Sequence, residues 1–232
     1  MRASKLKIND VYTDEYGISP KGRVEVPTPE QDVVHTEVKG RHGSLTKKYG
    51  FKDILLPVHF TMHGESFKMI FRKAKMKLID AKTLVFDDDY EVHYKVKSVQ
   101  IVTAENLIKK FGEFTVMFTL APFQFETNQT KTITVRTTLT NQGYESEPII
   151  TVHCSGMGKI YINNVPITIQ NINGTIIIDS ELMNAYGNNN GIITNLNNHM
   201  IGDFPIFKNG SNVIDFDGAI TKLEVNPRWR WV

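Results

Sequence analysis

Residues 90–99 read YEVHYKVKSV, and the alternation within them decides the fold class. Tyr90, Val92, Tyr94 and Val96 fall on one side, while Glu91, His93, Lys95 and Lys97 fall on the other. A period of two is that of a strand with one face buried and the other wet. FTVMFTL (114–120) repeats the pattern, with Phe114, Val116, Phe118 and Leu120 on a shared face. Shorter runs of the same kind follow at TITVRT (132–137), KIYINNVPITI (159–169), GTIIID (174–179) and KLEV (222–225). Turn signals at Asn163-Asn164, Asn173-Gly174, Asn209-Gly210 and Asp217-Gly218 punctuate them. The chain is predicted to be mainly β.

One stretch departs from this period. In ESFKMIFRKAKMKLIDA (65–81), Phe67, Ile70, Phe71, Ala74 and Leu78 recur at helical spacing and lysines with Arg72 fill the other side, which predicts one amphipathic helix packed on a sheet. AENLIKKF (104–111) is a candidate for a second, shorter helix. NAYGNNNGIITNLNNHM (184–200) reads as a low-complexity loop whose asparagines bond their own backbone. The polar stretch TTLTNQGYESEP (137–148) separates a lysine-rich half from one rich in asparagine, isoleucine and glycine. It predicts two domains, 1–143 and 144–232.

Composition narrows the function. The 232 residues hold 27 Lys+Arg against 25 Asp+Glu, a formal net charge of +2, far from the basic excess of a chain that grips phosphate backbones. No dedicated, specific nucleic-acid binding is therefore expected. No run is apolar and long enough to span a bilayer, and MRASKLKINDVY lacks a signal-peptide core, so no membrane insertion is expected and synthesis in the cytoplasm is. Cys154, the single cysteine, has no internal partner for a disulfide. The sequons at Asn128, Asn173 and Asn209 then read as turn sequences.

The candidates for chemistry are weak. His59 and His63 in HFTMH have the spacing of two metal ligands on a helix, but Phe60 stands where a zinc protease needs glutamate, and Pro57 with β-formers places the pair on a strand. CSGMGKIY (154–161) has Gly156 and Gly158 but Tyr161 in place of a third glycine, and leads into a strand, so a tight β-turn is expected. Neighbours on a strand, His153 and Cys154 point to opposite faces and cannot act as nucleophile and base. Asp87, Asp88 and Asp89, and again Asp215 and Asp217, fit hairpin turns; Ala219 and Asn226 stand where a calcium loop needs oxygen ligands. No enzyme activity, cofactor or metal is expected.

With those residues read, the chain resembles the distal tail proteins of long, non-contractile-tailed phages that infect Gram-positive bacteria. The resemblance is carried by KGRHGSLTKKYGFKDILLPVHF (39–60) and FTVMFTLAPFQFE (114–126), then by GYESEPIITVHCSGMGKIYIN (143–163), GTIIIDSELMNAY (174–186) and the closing segment 201–232. It implies a ring-forming N-terminal β domain with one helix and a hairpin arm that reaches the neighbouring subunit. It also implies a C-terminal galectin-like β-sandwich. The product would be a homohexameric ring at the distal end of the tail tube, joined to the tail-tube protein, the tail-associated tip protein and receptor-binding or other baseplate proteins. Its place would be the virion tail tip. Gly40, Arg41, His42 and Gly43 would lie at the subunit interface. A carbohydrate-binding module acting in host-wall recognition is the alternative, since β-sandwiches and terminal tryptophans both suit sugars.

Both tryptophans sit in the closing NPRWRWV (226–232). Continued as a strand from TKLEV, it puts Trp229 and Trp231 on one face and Arg228 and Arg230 on the other. The expectation is a final strand stapled into a sheet by two buried rings, with Arg230 on an exposed face and a contact to a tip partner as the alternative.

Overall fold

The computed structural model describes residues 5–63, 66–108, 111–127 and 129–232, except the side chains of residues 63, 67 and 103–108. Its contacts divide it into two compact units, residues 1–125 with Val232, and residues 126–231.

The first unit is built on an antiparallel sheet. Its strands are β1 (Leu6–Ile8), β2 (Val11–Tyr12), β3 (Ile18–Pro20), and, after a separate hairpin of β4 (Gln31–Glu37) and β5 (Ser44–Phe51), β6 (Ile54–His63). The helix α1 (Phe67–Ile79) precedes β7 (Thr83–Phe86), β8 (Asp89–Ile108) and β9 (Phe111–Glu126). The sheet runs in the order β2-β1-β7-β8-β9-β6-β3. Alternation places Phe114, Val116, Phe118 and Leu120 of β9 and Leu56, Val58, Phe60 and Met62 of β6 in one core, as their spacing requires. Ala74 and Leu78 of α1 are fully buried in that same core. Phe71 meets the ring of Phe114 edge-on at 5.3 Å, and Phe114 stacks on Phe60, its register partner, also at 5.3 Å.

The proposed second helix at 104–111 is not formed: β8 runs on as strand through Ile108, and 109–110 lie outside the described residues. Its local helix formers are overridden by the alternating run before them, which commits the backbone to the sheet. The His59 and His63 positions fall on β6, and the imidazole of His59 is hydrogen-bonded to Thr115 at 2.8 Å. The side chain of His63 is outside the described residues.

The second unit contains β10 (Lys131–Ile133), β11 (Thr137–Asn141), β12 (Ile149–Ile162), β13 (Val165–Asp179), β14 (Asn184–Asn189), β15 (Ile192–Asn195), β16 (Met200–Ile201), β17 (Gly210–Asn226) and β18 (Arg230–Trp231). β10, β17, β12, β13, β14 and β15 follow one another across a sheet, with β11 also on β17 and β16 on β13. The compact units part at Phe125/Glu126 rather than near residue 143, because β10 and β11 are hydrogen-bonded along β17. A polar composition marks a loop, but ladder pairing decides membership.

Several expected turns are bends within long strands. Asn163 and Asn164, with φ of 51° and 67°, do close the β12–β13 hairpin as a two-residue turn. Gly174 instead pairs with Cys154 inside that ladder, and Gly156 and Gly158 lie within β12, where the register shifts. Asp215 and Asp217 are likewise ladder residues of β17, not a turn. Gly158 faces Gly218 across the β12–β17 ladder; a Cβ on Gly158 would stand 2.7 Å from the Asp217 carbonyl oxygen, and one on Gly218 would stand 2.8 Å from the Gly158 Cα. Bulges of this kind bend strands, and Ile160, Ile162 and Ile214 on one side of the bend share a core with Ile150, Val152, Leu223 and Val225 on the other. The segment expected as a loop at 184–200 is in part the β14–β15 hairpin, turned at Asn190-Gly191 with φ of 51° and 88°. Its asparagines do bond backbone: Asn188 accepts from Gly191 N–H and Asn197 from Ala185 N–H.

Candidate functional site

The hairpin β4–β5 is a two-stranded sheet of its own. Its register pairs Glu37 with Ser44, Thr36 with Leu45 and Val34 with Lys47. Cross-strand partners share a face, so Val34, Thr36, Leu45, Lys47 and Tyr49 form one side, where Lys47 Nζ sits 4.9 Å from the centre of the Tyr49 ring. His35 and Thr46, bonded at 3.0 Å, mark the other side. Val34, Leu45 and Tyr49 are each nearly half exposed. At the base, Phe51 meets Phe123 of β9 edge-on at 5.9 Å, and Lys52 N–H donates to the Glu30 carbonyl.

Gly40, Arg41, His42 and Gly43 form the outer tip of this hairpin, all exposed. Gly40 and Gly43 have φ of 84° and 75°, and a Cβ at either would meet nothing within 4 Å. Glycine is needed there for the left-handed backbone, not for space. Arg41 N–H donates to the Val38 carbonyl at 3.1 Å, which closes the tip, and Arg41 is exposed. The apolar stripe Val34, Leu45, Tyr49 went unnoticed in the sequence reading, although Leu45, Lys47 and Tyr49 stand at the two-residue spacing that would have found it.

Trp229 and Trp231 lie in the other unit. Trp229 is buried, tilted against Phe207 at 5.5 Å between ring centres, and its backbone is held by the Gln129 amide at both N–H and carbonyl. Trp231 is half-buried, and its indole N–H donates to Glu126 at 3.2 Å. The uninterrupted final strand is not present. β17 stops at Asn226, and after Pro227 the chain passes through Arg228 with φ of 51° before β18 begins. Both arginines therefore turn inward. Arg228 makes a two-pronged pair with the buried carboxylate of Asp179 at 2.7 and 3.0 Å and reaches Glu181 at 3.2 Å. Arg230, expected on an exposed face, is buried and donates to the Glu145 carbonyl at 2.6 Å and to the Glu147 carboxylate. A proline that removes a ladder donor, followed by a left-handed residue, breaks the alternation that the expectation relied on.

The remaining candidates resolve into ordinary structure. Cys154 is buried, whereas His153 lies on the opposite side of β12, 3.1 Å from Glu224. Lys222, bonded to the same carboxylate at 2.7 Å, holds Glu224 below its usual range with a smaller contribution from His153. A groove of about 500 Å³ is lined by Ile162, Val165, Phe204 and Ile206, with Asp203 and Lys208 among its polar groups.

No protein-family model matches the chain, and no curated protein is similar to it at a significant level. Solved structures are similar. The crystal structure of the SPP1 Dit protein, described as a paradigm of the hub adsorption apparatus in phages infecting Gram-positive bacteria, superposes with a TM-score of 0.69 at 11% identity, covering 100% of both chains. Chains of the phage P2 baseplate in its activated conformation, with calcium or with strontium, superpose with TM-scores of 0.54 and 0.55 at 9% identity over 97% of each chain. Along its whole length, this chain has the fold of the SPP1 Dit hub protein and is similar in fold to a phage baseplate component.

Proposed function

We propose that the chain is a structural protein of a phage tail, forming a homohexameric ring at the distal end of the tail tube as the hub of the baseplate. The observation that carries this reading is the full-length similarity in fold to the SPP1 Dit hub protein, with neither chain left uncovered. In this role the first unit forms the ring, and the second is a galectin-like sandwich that projects from it. The tail-tube protein and the tail-associated tip protein bind on either side, and receptor-binding or other baseplate proteins attach to the hub.

The hairpin β4–β5 gives that reading a physical basis. An isolated two-stranded hairpin is marginal in water, and this one leaves Val34, Leu45 and Tyr49 uncovered along one face. A neighbouring subunit that covers the face removes apolar area from water and supplies the third layer the hairpin lacks. Gly40, Arg41, His42 and Gly43 at its tip are then interface residues, and Arg41 can make a two-pronged contact with a carboxylate of the neighbour. Light scattering after size-exclusion chromatography, with negative-stain images of the peak, tests the ring directly. A particle six times the 26.4 kDa chain mass is expected; a monomer at micromolar concentration overturns the reading.

The groove beside Phe204 favours a second reading, carbohydrate binding, because apolar walls with a carboxylate and an ammonium group suit a sugar ring. Titration with host-wall saccharides checks it. Binding that is lost on Phe204→Ala would support it.

A further inference from the structure

The outer face of α1 is strongly basic. Lys68, Arg72, Lys73, Lys75 and Lys77 all lie on this helix, no carboxylate occurs between residues 66 and 79, and all five cations are exposed. The whole chain has a net charge of only +2. None of the five side chains has a hydrogen bond or an ion pair among the described residues. At 100° per residue, Met69 and Met76 point most directly away from the buried Ala74 and Leu78, with Arg72 and Lys73 between them. Met69 and Met76 are 54% and 64% exposed. The two methionines form an apolar centre inside a ring of cations. Methionine and arginine are enriched where proteins meet, with lysine confined to the rim.

The complementary surface is on the same unit. The β7–β8 turn carries Asp87 and Asp88, and β8 opens with Asp89 and Tyr90, whose side chain is 70% exposed. Asp87 accepts from Lys5 N–H, and Asp88 forms an exposed pair with Arg23 at 3.3 Å, the kind of contact that contributes little. β7 carries the chain away from the C-terminus of α1 by about 13 Å at 3.3 Å per residue, so the turn and the helix are separate surfaces of one protomer.

We propose that the Met69/Met76 face of α1 docks the acidic Asp87–Asp89 turn of a second copy of this chain, with Tyr90 seated on the methionines. The inference rests on the ring reading above and names a contact within it. Charge selects the geometry. Two α1 faces brought together across a two-fold axis would set five cations against five, so the self-complementary arrangement is repelled. A basic face meeting an acidic one is a head-to-tail contact, and a head-to-tail contact whose rotation closes makes a ring.

The test uses the full chain. One variant carries Arg72→Glu, Lys73→Glu and Lys75→Glu; the other carries Asp88→Lys and Asp89→Lys, leaving Asp87 on Lys5. Each should lose assembled rings at least about tenfold in light scattering, as like charges at a contact disfavour it strongly, with an unchanged melting temperature of the unassembled chain. An equimolar mixture should regain rings, because the acidic helix of the first variant meets the basic turn of the second, and the reverse contact remains matched. Loss in both variants without rescue in the mixture overturns the contact. A wild-type ring that persists through both reversals overturns the contact and leaves the ring reading standing, whereas a monomeric wild type overturns both. Anisotropy with duplex DNA at low salt covers the remaining occupant: DNA binding abolished by the helix variant while rings persist would make the face a polyanion site instead.

Discussion

At the scale of single residues, the end of the chain holds the strongest expectations. Asp179 is buried, and the guanidinium of Arg228 neutralises it. Breaking a buried pair from one side leaves an uncompensated charge, which costs about 3–5 kcal/mol. Arg228→Ala should therefore lower the melting temperature of the second unit as severely as Trp229→Ala, whose loss of a buried ring also costs about 3–5 kcal/mol. Differential scanning calorimetry on both variants checks this, and a near-native melt for Arg228→Ala would refute the assigned pair. His93 carries a second expectation. Burial, helped by Lys95 and opposed by Asp10, pushes its pKa below the ordinary 6.5. The unfolded chain then takes up the proton first, so stability held at neutral pH is lost as pH falls through 6.5. His93→Gln should flatten the dependence of melting temperature between neutral and mildly acidic pH. The sequence announced the tryptophans but not the role of the arginines, because nothing in a one-dimensional pattern places Asp179 and Glu147 beside them.

At the scale of elements, periodicity was legible and interruption was not. The alternation over Val92–Tyr94 of β8 and Phe114–Leu120 of β9 and the helical spacing in α1 report burial directly, since each face meets one environment over those stretches. The turn chemistry at Asn173-Gly174 and Asp217-Gly218 was misleading because a glycine permits a bulge as readily as a turn, and only the partner strand selects between them. Asn190-Gly191 was hidden by surrounding asparagines, yet it is the one pair there flanked by strand on both sides. The Gly158/Gly218 crossing yields a sharp expectation. With φ of 72° at Gly218 and a neighbouring backbone inside 3 Å of any Cβ, Gly218→Ala adds left-handed strain to a clash. A destabilisation of about 2–4 kcal/mol is expected from the two together. Gly174→Ala, strained by a φ of 129° but with nothing within 4 Å of a Cβ, should cost less because no clash is added. Urea midpoints of the two variants would rank them, and the opposite order would argue against the bend.

At the scale of the whole molecule, assembly decides whether the exposed surfaces make sense. Arg41→Ala at the arm tip should reduce ring formation while leaving the melting temperature of the unassembled chain within a degree or so, since exposed substitutions seldom exceed about 0.5 kcal/mol. Tyr49→Ser should act more strongly, because it removes an apolar anchor from the hairpin face. Sedimentation velocity across a dilution series reads both effects. Unchanged dissociation for the pair would exclude the arm from the interface. The hairpin's chemistry was legible in the sequence through its glycines and the two-residue spacing of Leu45, Lys47 and Tyr49; that it forms a sheet of its own, apart from the main one, depends on pairing that no local pattern encodes.

The burial of Cys154 has a practical corollary. As the single thiol of the chain, 4% exposed on β12, it is sealed beneath the second unit's ladder. A thiol reagent can reach it only when that ladder opens, so its modification rate clocks the opening of one unit without any signal from the other. The native surface is also free of competing sulfhydryls. A cysteine placed at His42 would be labelled selectively, turning the hairpin tip into a position where a fluorophore or a cross-linker can test for the proposed neighbour.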